Sequence, residues 1–164
     1  MPVPVRKPEL AFRTTWHYIF DRKSPSTPEA RRALALYREA LNAEHSGLIS
    51  YAVLNYYKII ELTQRHRGAT KNWFRNNFAY ARGFEHLKRS LDDFDKLRGT
   101  TEPHEYIYKS CRLAVAHAGK DSESDPDDAI ELLRLHTAAD IMQVLARHCI
   151  EEKFRISDCM FDGT

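Results

Sequence analysis

The 164 residues predict an all-α fold, a helical bundle of four to five helices. Apolar residues recur at three- and four-residue spacing over long stretches, and helix-start and helix-stop residues punctuate those stretches. No run alternates apolar and polar residues as a half-buried strand would, and no internal repeat is visible.

The first helix starts at Ser26-Thr27-Pro28-Glu29, where Thr27 caps and Pro28 suits a position whose N–H would have had no partner. Leu34, Ala35, Tyr37, Ala40 and Leu41 carry it over about 28–45, and Gly47 separates it from the next. Leu48 to Arg65 places Ile49, Ala52, Val53, Tyr56, Ile59 and Ile60 on one broad face, which marks the central helix, with Asn55, Lys58 and Glu61 as its polar members. Gly68-Ala69-Thr70 is expected to break it. A long stretch from about Lys71 to Leu97 carries Trp73, Phe74, Phe78, Phe84, Leu87, Leu91 and Phe94, and reads as two helices if it bends at Gly83. Gly99 to Pro103 is a turn into a helix from about Pro103 to Ala118, closed by Gly119. Asp125-Pro126-Asp127-Asp128 opens the last helix, whose expected apolar stripe is Ile130, Leu133, Ala138, Ile141, Val144, Leu145 and Cys149, ending near Lys153. The chain thus divides into a proline-rich N-terminal arm at 1–26, one helical domain at 27–155 and a short tail at 156–164.

Composition narrows the function classes. With 43% hydrophobic and 29% charged residues and only six Gly and seven Pro, the chain is neither disordered nor low-complexity. No run approaches the roughly 20 apolar residues of a membrane span, so no membrane partner is expected. The opening Met-Pro-Val-Pro-Val-Arg-Lys-Pro sets prolines where an export signal needs an apolar helix, which makes the cytoplasm the expected location. Cys111, Cys149 and Cys159 are odd in number and contain no C-x-x-C pair, so they read as small buried residues or spectators in a reducing compartment. The net charge of +2 hides an asymmetry: residues 1–120 carry 21 Lys and Arg against 12 Asp and Glu, and residues 121–164 carry 4 against 11. A basic surface attracts a nucleic-acid backbone, or the two halves neutralise each other in the fold; charge alone does not choose.

The search for chemistry first eliminates. There is no Gly-rich phosphate loop, H-E-x-x-H or G-x-S-x-G, and the acidic loop 121–128 lacks the Gly and closing Glu of a calcium loop. Asp92, Asp93 and Asp95 read as a solvated face rather than a metal site, so neither metal nor cofactor is expected. What remains is Arg and His. Three Arg-to-His pairs have four to six intervening residues, against about two expected by chance from 16 Arg and eight His, so spacing alone says little. Context separates them. Arg98 to His104 crosses a turn, and Arg38 to His45 lies on an amphipathic surface helix. Arg112 to His117 encloses Leu-Ala-Val-Ala, a packed stretch in which two ionisable groups must share a cleft or an interface, and His117 sits in the last turn, where the helix dipole favours an imidazolium. The competing reading is a core histidine on a backbone carbonyl beside a salt-bridged arginine.

Arg32 to Leu41, then Tyr51-Ala-Val-Leu-Asn-Tyr-Tyr-Lys-Ile-Ile-Glu61, then Arg112-Leu-Ala-Val-Ala-His117-Ala in a late helix before a polar loop and a final long helix, together resemble HEPN domains. The branch most similar is the ApeA-like one and the HEPN-like domain of methylamine-utilisation loci, over about residues 28–153. The resemblance implies a homodimer in which the Arg/His helices of two protomers form one composite endoribonuclease site, in a toxin or antiviral defence setting, with RNA as substrate and an antitoxin or other protein as a further partner. Carried onto this chain, His117 moves a proton, Arg112 holds the scissile phosphate, Glu61 orients Arg112, and Lys109 and Lys120 bind flanking phosphates. Glu61 reads equally as a solvated acid at a helix end, and the two lysines as solvated surface residues. The position after the arginine is often Asn, Asp or His in catalytic members and is Leu113 here, which fits the alternative of a non-catalytic dimerisation or nucleotide-sensing module; a generic helical adaptor is the third reading.

Overall fold

The computed structural model describes residue 25 and residues 27–109 and 129–156. Among the described residues every regular element is helical and no strand occurs. The helices are α1 (Pro28–His45), α2 (Ile49–Gln64), α3 (Arg67–Ala81), α4 (Lys88–Arg98), the short α5 (Pro103–Tyr106) and the long α6 (Ala129–Phe154), with one 3₁₀ turn at Glu85–Leu87. The expected arm at 1–26, apart from Pro25, the part of the expected helix to Ala118 that follows Lys109, and most of the expected tail lie outside the described residues.

Each start and stop has a local cause. Thr27 caps α1 as expected, its side-chain oxygen accepting from the Ala30 N–H at 3.2 Å, and Pro28 stands at the first position. Gly47 follows with φ +75, a left-handed turn that a side chain would strain. The break after α2 corrects the sequence reading: Gly68, Ala69 and Thr70 do not end it but lie in the first turn of α3. The chain turns instead at Arg65, in the left-handed region at φ 64, whose N–H donates to the Glu61 carbonyl; His66 then caps α3, its Nδ1 accepting from the Ala69 N–H at 3.1 Å. A capping histidine and a left-handed arginine are weaker sequence signals than a glycine, which is why the break reads three residues late. The stretch 71–97 is two helices, parted by Arg82–Leu87 around Gly83, as the bend there allows.

α2 and α6 form the centre. Ile49, Ala52, Val53, Tyr56, Ile59 and Ile60, the face expected from sequence, are all buried, each large apolar side chain contributing about 1.5–3 kcal/mol relative to exposure. α6 runs in the same direction beside α2: Tyr56 is hydrogen-bonded to Gln143, and Thr63 Oγ1 lies 2.9 Å from Cys149 Sγ. α1 closes one side, with the Tyr37 and Tyr56 rings 5.6 Å apart and the Tyr56 hydroxyl donating to Glu44 at 2.5 Å. α3 packs antiparallel to α6, where the Trp73 indole donates to Glu152 at 2.9 Å and Tyr80 stacks on His148 at 3.9 Å. Phe78 of α3, Phe94 of α4 and Tyr106 of α5 form an aromatic chain that ties these helices together.

The stripe on α6 also differs from expectation. Ala138, Ile141, Leu145 and Cys149 are buried as expected, but Ile130 and Leu133 are exposed, and one buried seam runs through Glu131, Leu135, Ala138, Met142, Leu145 and Cys149. These positions advance by four and three residues alternately, the spacing of one continuous helix face. The seam opens on a carboxylate, which disguises it in sequence; in the fold Glu131 is ion-paired with the equally buried Arg134.

Candidate functional site

Of the five residues singled out from the sequence, Glu61 and Lys109 fall within the described residues, while Arg112, His117 and Lys120 lie outside them. Glu61 is half-buried in the last turn of α2, one turn beyond Tyr57 and on the same side of the helix. Tyr57 in turn packs on Tyr108, their rings 6.2 Å apart, and Lys109 follows in a π turn at 107–109 that continues α5. The end of α2 and the chain entering Arg112 in sequence therefore meet at one corner. Lys109 is exposed and pairs with Glu105 one turn back, at 2.7 Å, an interaction that holds the Glu105 carboxyl below its ordinary range.

Running from that corner between α3 and α5 is a groove that the sequence reading missed. Arg67, Lys71 and Arg75 stand four residues apart along α3, all exposed, and among the described residues none has a carboxylate within 4.0 Å. Four residues put successive side chains on one face about 6 Å apart along the axis. The guanidinium of Arg67 lies over the Tyr108 ring at 4.3 Å from its centre, a contact that fixes it at the groove's edge without neutralising it. The signal was in the sequence, but a break placed at Gly68 to Thr70 takes Arg67 out of the helix and hides the spacing.

The floor between the cations is Phe74 and His104. His104 is 7% exposed, and its Nδ1 has no hydrogen-bond partner, a deficit that typically costs about 1–3 kcal/mol. Burial first, then Lys71 and Arg75, outweigh Glu102 and Glu105 and hold its pKa below the ordinary histidine value. The ring is therefore neutral at pH 7, so it adds no charge to the groove and can present a nitrogen as donor or acceptor according to tautomer.

The remaining candidates are accounted for otherwise. Asp95 accepts from Arg82 at 2.8 Å and from Arg98 at 2.7 Å and so ties the α3–α4 corner together, while Asp93 accepts from Lys96 at 3.0 Å within α4. Arg38 and His45, a competing pair by spacing, are both exposed on α1. Burial pushes the Cys149 thiol up to about 11, which leaves it an inert core residue. Among the described residues no group of three His, Cys, Asp or Glu is placed to hold a metal, and no helix is long and apolar enough to cross a membrane.

Comparison with known proteins adds a family. The model of the family described as Methylamine utilization protein MauJ matches residues 33–151, which span α1 from its second turn almost to the end of α6 and include Glu61, Lys109, Arg112, His117 and Lys120. No curated protein and no solved structure matches the chain.

Proposed function

The chain belongs to the methylamine utilization protein MauJ family, and we propose that within it this protein works as a HEPN-type, metal-independent endoribonuclease, cutting RNA in the cytoplasm at a site shared by two copies. The observation that carries this reading is the Arg112-Leu-Ala-Val-Ala-His117 run, two ionisable groups around a small apolar stretch, inside the span that the family model matches.

The chemistry these residues offer is transesterification by the RNA's own 2′-hydroxyl. Its oxygen attacks the adjacent phosphorus, the 5′-oxygen of the next nucleotide leaves, and the products are a 2′,3′-cyclic phosphate and a 5′-hydroxyl. His117 moves the proton, and Arg112 holds two phosphate oxygens with its planar fork as charge develops on them. The half-buried Glu61 lies on the helix face that meets the chain entering this segment, which supports a role in orienting Arg112. Lys109 and Lys120 flank the motif and would bind neighbouring phosphates. Alanines let two copies of the helix approach closely, so a homodimer would line one cleft with two Arg/His pairs. The setting the HEPN likeness implies is a toxin or antiviral effector restrained by a protein partner.

Leu113 favours a second reading, a non-catalytic helical module for dimerisation or nucleotide sensing. Incubating the purified protein with labelled single-stranded RNA, with and without EDTA, beside His117→Ala and Arg112→Lys, separates the two. The catalytic reading expects cleavage that survives EDTA and is lost in both variants at unchanged helical content. No cleavage by the parent, or equal cleavage by the variants, leaves the module reading standing.

A further inference from the structure

We propose that the groove between α3 and α5 is the binding track for the sugar–phosphate backbone of single-stranded RNA, with Arg67, Lys71 and Arg75 each meeting one of three successive phosphates. This inference deepens the endoribonuclease reading and rests on it for the choice of RNA.

Three observations carry it. First, the three cations are left without carboxylate partners among the described residues, although like charges at four-residue spacing repel one another along a helix. In the same molecule Arg82 and Arg98 share the Asp95 carboxylate. Second, the spacing of about 6 Å along one face matches the repeat of an extended phosphodiester strand better than it matches a single anion, which would draw the cations together on one point. Third, the groove floor holds the buried, neutral His104, whose Nδ1 is unpartnered, next to two of the cations. A ribose hydroxyl or phosphate oxygen entering between α3 and α5 gives that ring a partner.

Two features favour RNA over a plain polyphosphate. The Arg67 guanidinium, held over the Tyr108 ring with its carbon 4.3 Å from the ring centre, is placed where a base could stack on it, a mode single-stranded nucleic acids use without reading sequence. At its other wall the groove ends at Lys109, three residues before Arg112 in sequence, so a strand lying on α3 would be handed toward the motif residues. Of the two acids on that wall, Glu105 is already held by Lys109, and Glu102 is exposed at the Arg75 end.

The test is fluorescence anisotropy with a labelled 2′-O-methyl oligonucleotide, a strand that cannot be cleaved, so that binding is read apart from catalysis. Three proteins are compared: the parent, Arg67→Glu/Lys71→Glu/Arg75→Glu, and the control Arg32→Glu/Arg38→Glu/Lys58→Glu, which changes net charge equally on α1 and α2. The groove variant is expected to bind at least tenfold more weakly, and its log Kd against log salt slope should fall by about 2, near 0.7 for each phosphate that is no longer neutralised. The control should keep the parent's slope. Should charge reversal unfold the groove variant, the triple glutamine variant at the same positions replaces it, with far-ultraviolet circular dichroism as the check. Inorganic tripolyphosphate added in competition should displace the strand only at concentrations well above those of unlabelled oligonucleotide. Equal weakening in both triple variants, no binding by the parent, or displacement by tripolyphosphate as readily as by RNA would each overturn the track. If the groove variant alone loses binding while the parent leaves ordinary RNA uncut, the track stands and the endoribonuclease reading falls.

Discussion

Two arginine-rich regions lie at opposite ends of α3, and the fold treats them differently. At its C-terminal end Arg82 joins Arg98 of α4 on Asp95, and the shared hydrogen bonds pin the corner where the chain reverses. At its N-terminal end Arg67, Lys71 and Arg75 line a groove where, among the described residues, no carboxylate comes within 4.0 Å of them, although Glu102 and Glu105 stand on its other wall. A cation that serves the fold comes with its counter-charge. A row of cations left without one is consistent with an external anion, and the contrast within one helix shows that the chain has the means to neutralise arginines where the architecture calls for it.

The largest effect that sharpens this contrast is on rate. His117→Ala should lower RNA cleavage by on the order of 100- to 10,000-fold while leaving binding of the non-cleavable strand unchanged, which places chemistry and charge in different residues. A parallel loss of binding would merge them. Next in size is Asp95→Asn, which removes the charge from a paired carboxylate and should cost about 1 kcal/mol, or roughly 2–4 °C in Tm for a chain of this length. RNA affinity should not move, and a drop in affinity without a drop in Tm would erase the distinction between the two ends.

The two regions should also respond to different pH windows. His104 has its pKa held below the ordinary value by burial and by Lys71 and Arg75, so its contribution to stability is full above the unfolded histidine value, near 6.5, and is lost as pH falls through its lower folded value. Burial alone would raise Asp95, but Arg82 and Arg98 outweigh it and hold it low. Its contribution is therefore full above the unfolded aspartate value, near 3.9, and is lost only as pH falls further. Thermal melts should show a first loss below neutrality that His104→Gln flattens and a second in the acid range that Asp95→Asn flattens. If His104→Gln left the first loss intact, the ring would not be the group that titrates there. The smallest effect concerns the entry to α3. Arg65 holds a left-handed φ of 64, and Arg65→Gly should stabilise by no more than about 1 kcal/mol, with RNA binding preserved because Arg65 is outside the track.

Most of the architecture was legible in the sequence because its signals are local. Thr27 and Pro28 fix the start of α1, Gly47 its end, and the spacing from Ile49 to Ile60 finds the central helix. Legibility failed where a charged residue did the work of an apolar one or of a glycine. Arg65 and His66 end and restart helices without a glycine, and Glu131 opens the α6 seam because Arg134 neutralises it, a pairing that only packing reveals. The groove was lost for the same reason: its three cations read as ordinary surface charge until α3 is known to begin at Arg67 and α5 to lie against it with His104 buried between. The motif residues Arg112 and His117 are the reverse case, conspicuous in the sequence and outside the described residues of the fold.

Whether Arg112 and His117 direct attack by the RNA's own 2′-hydroxyl is reported directly by the product ends. Mass spectrometry of a short single-stranded RNA incubated with the protein in EDTA should show fragments ending in a 2′,3′-cyclic phosphate and beginning with a 5′-hydroxyl, and none of them with His117→Ala. Intact RNA, or fragments carrying 3′-hydroxyl and 5′-phosphate ends, would contradict it.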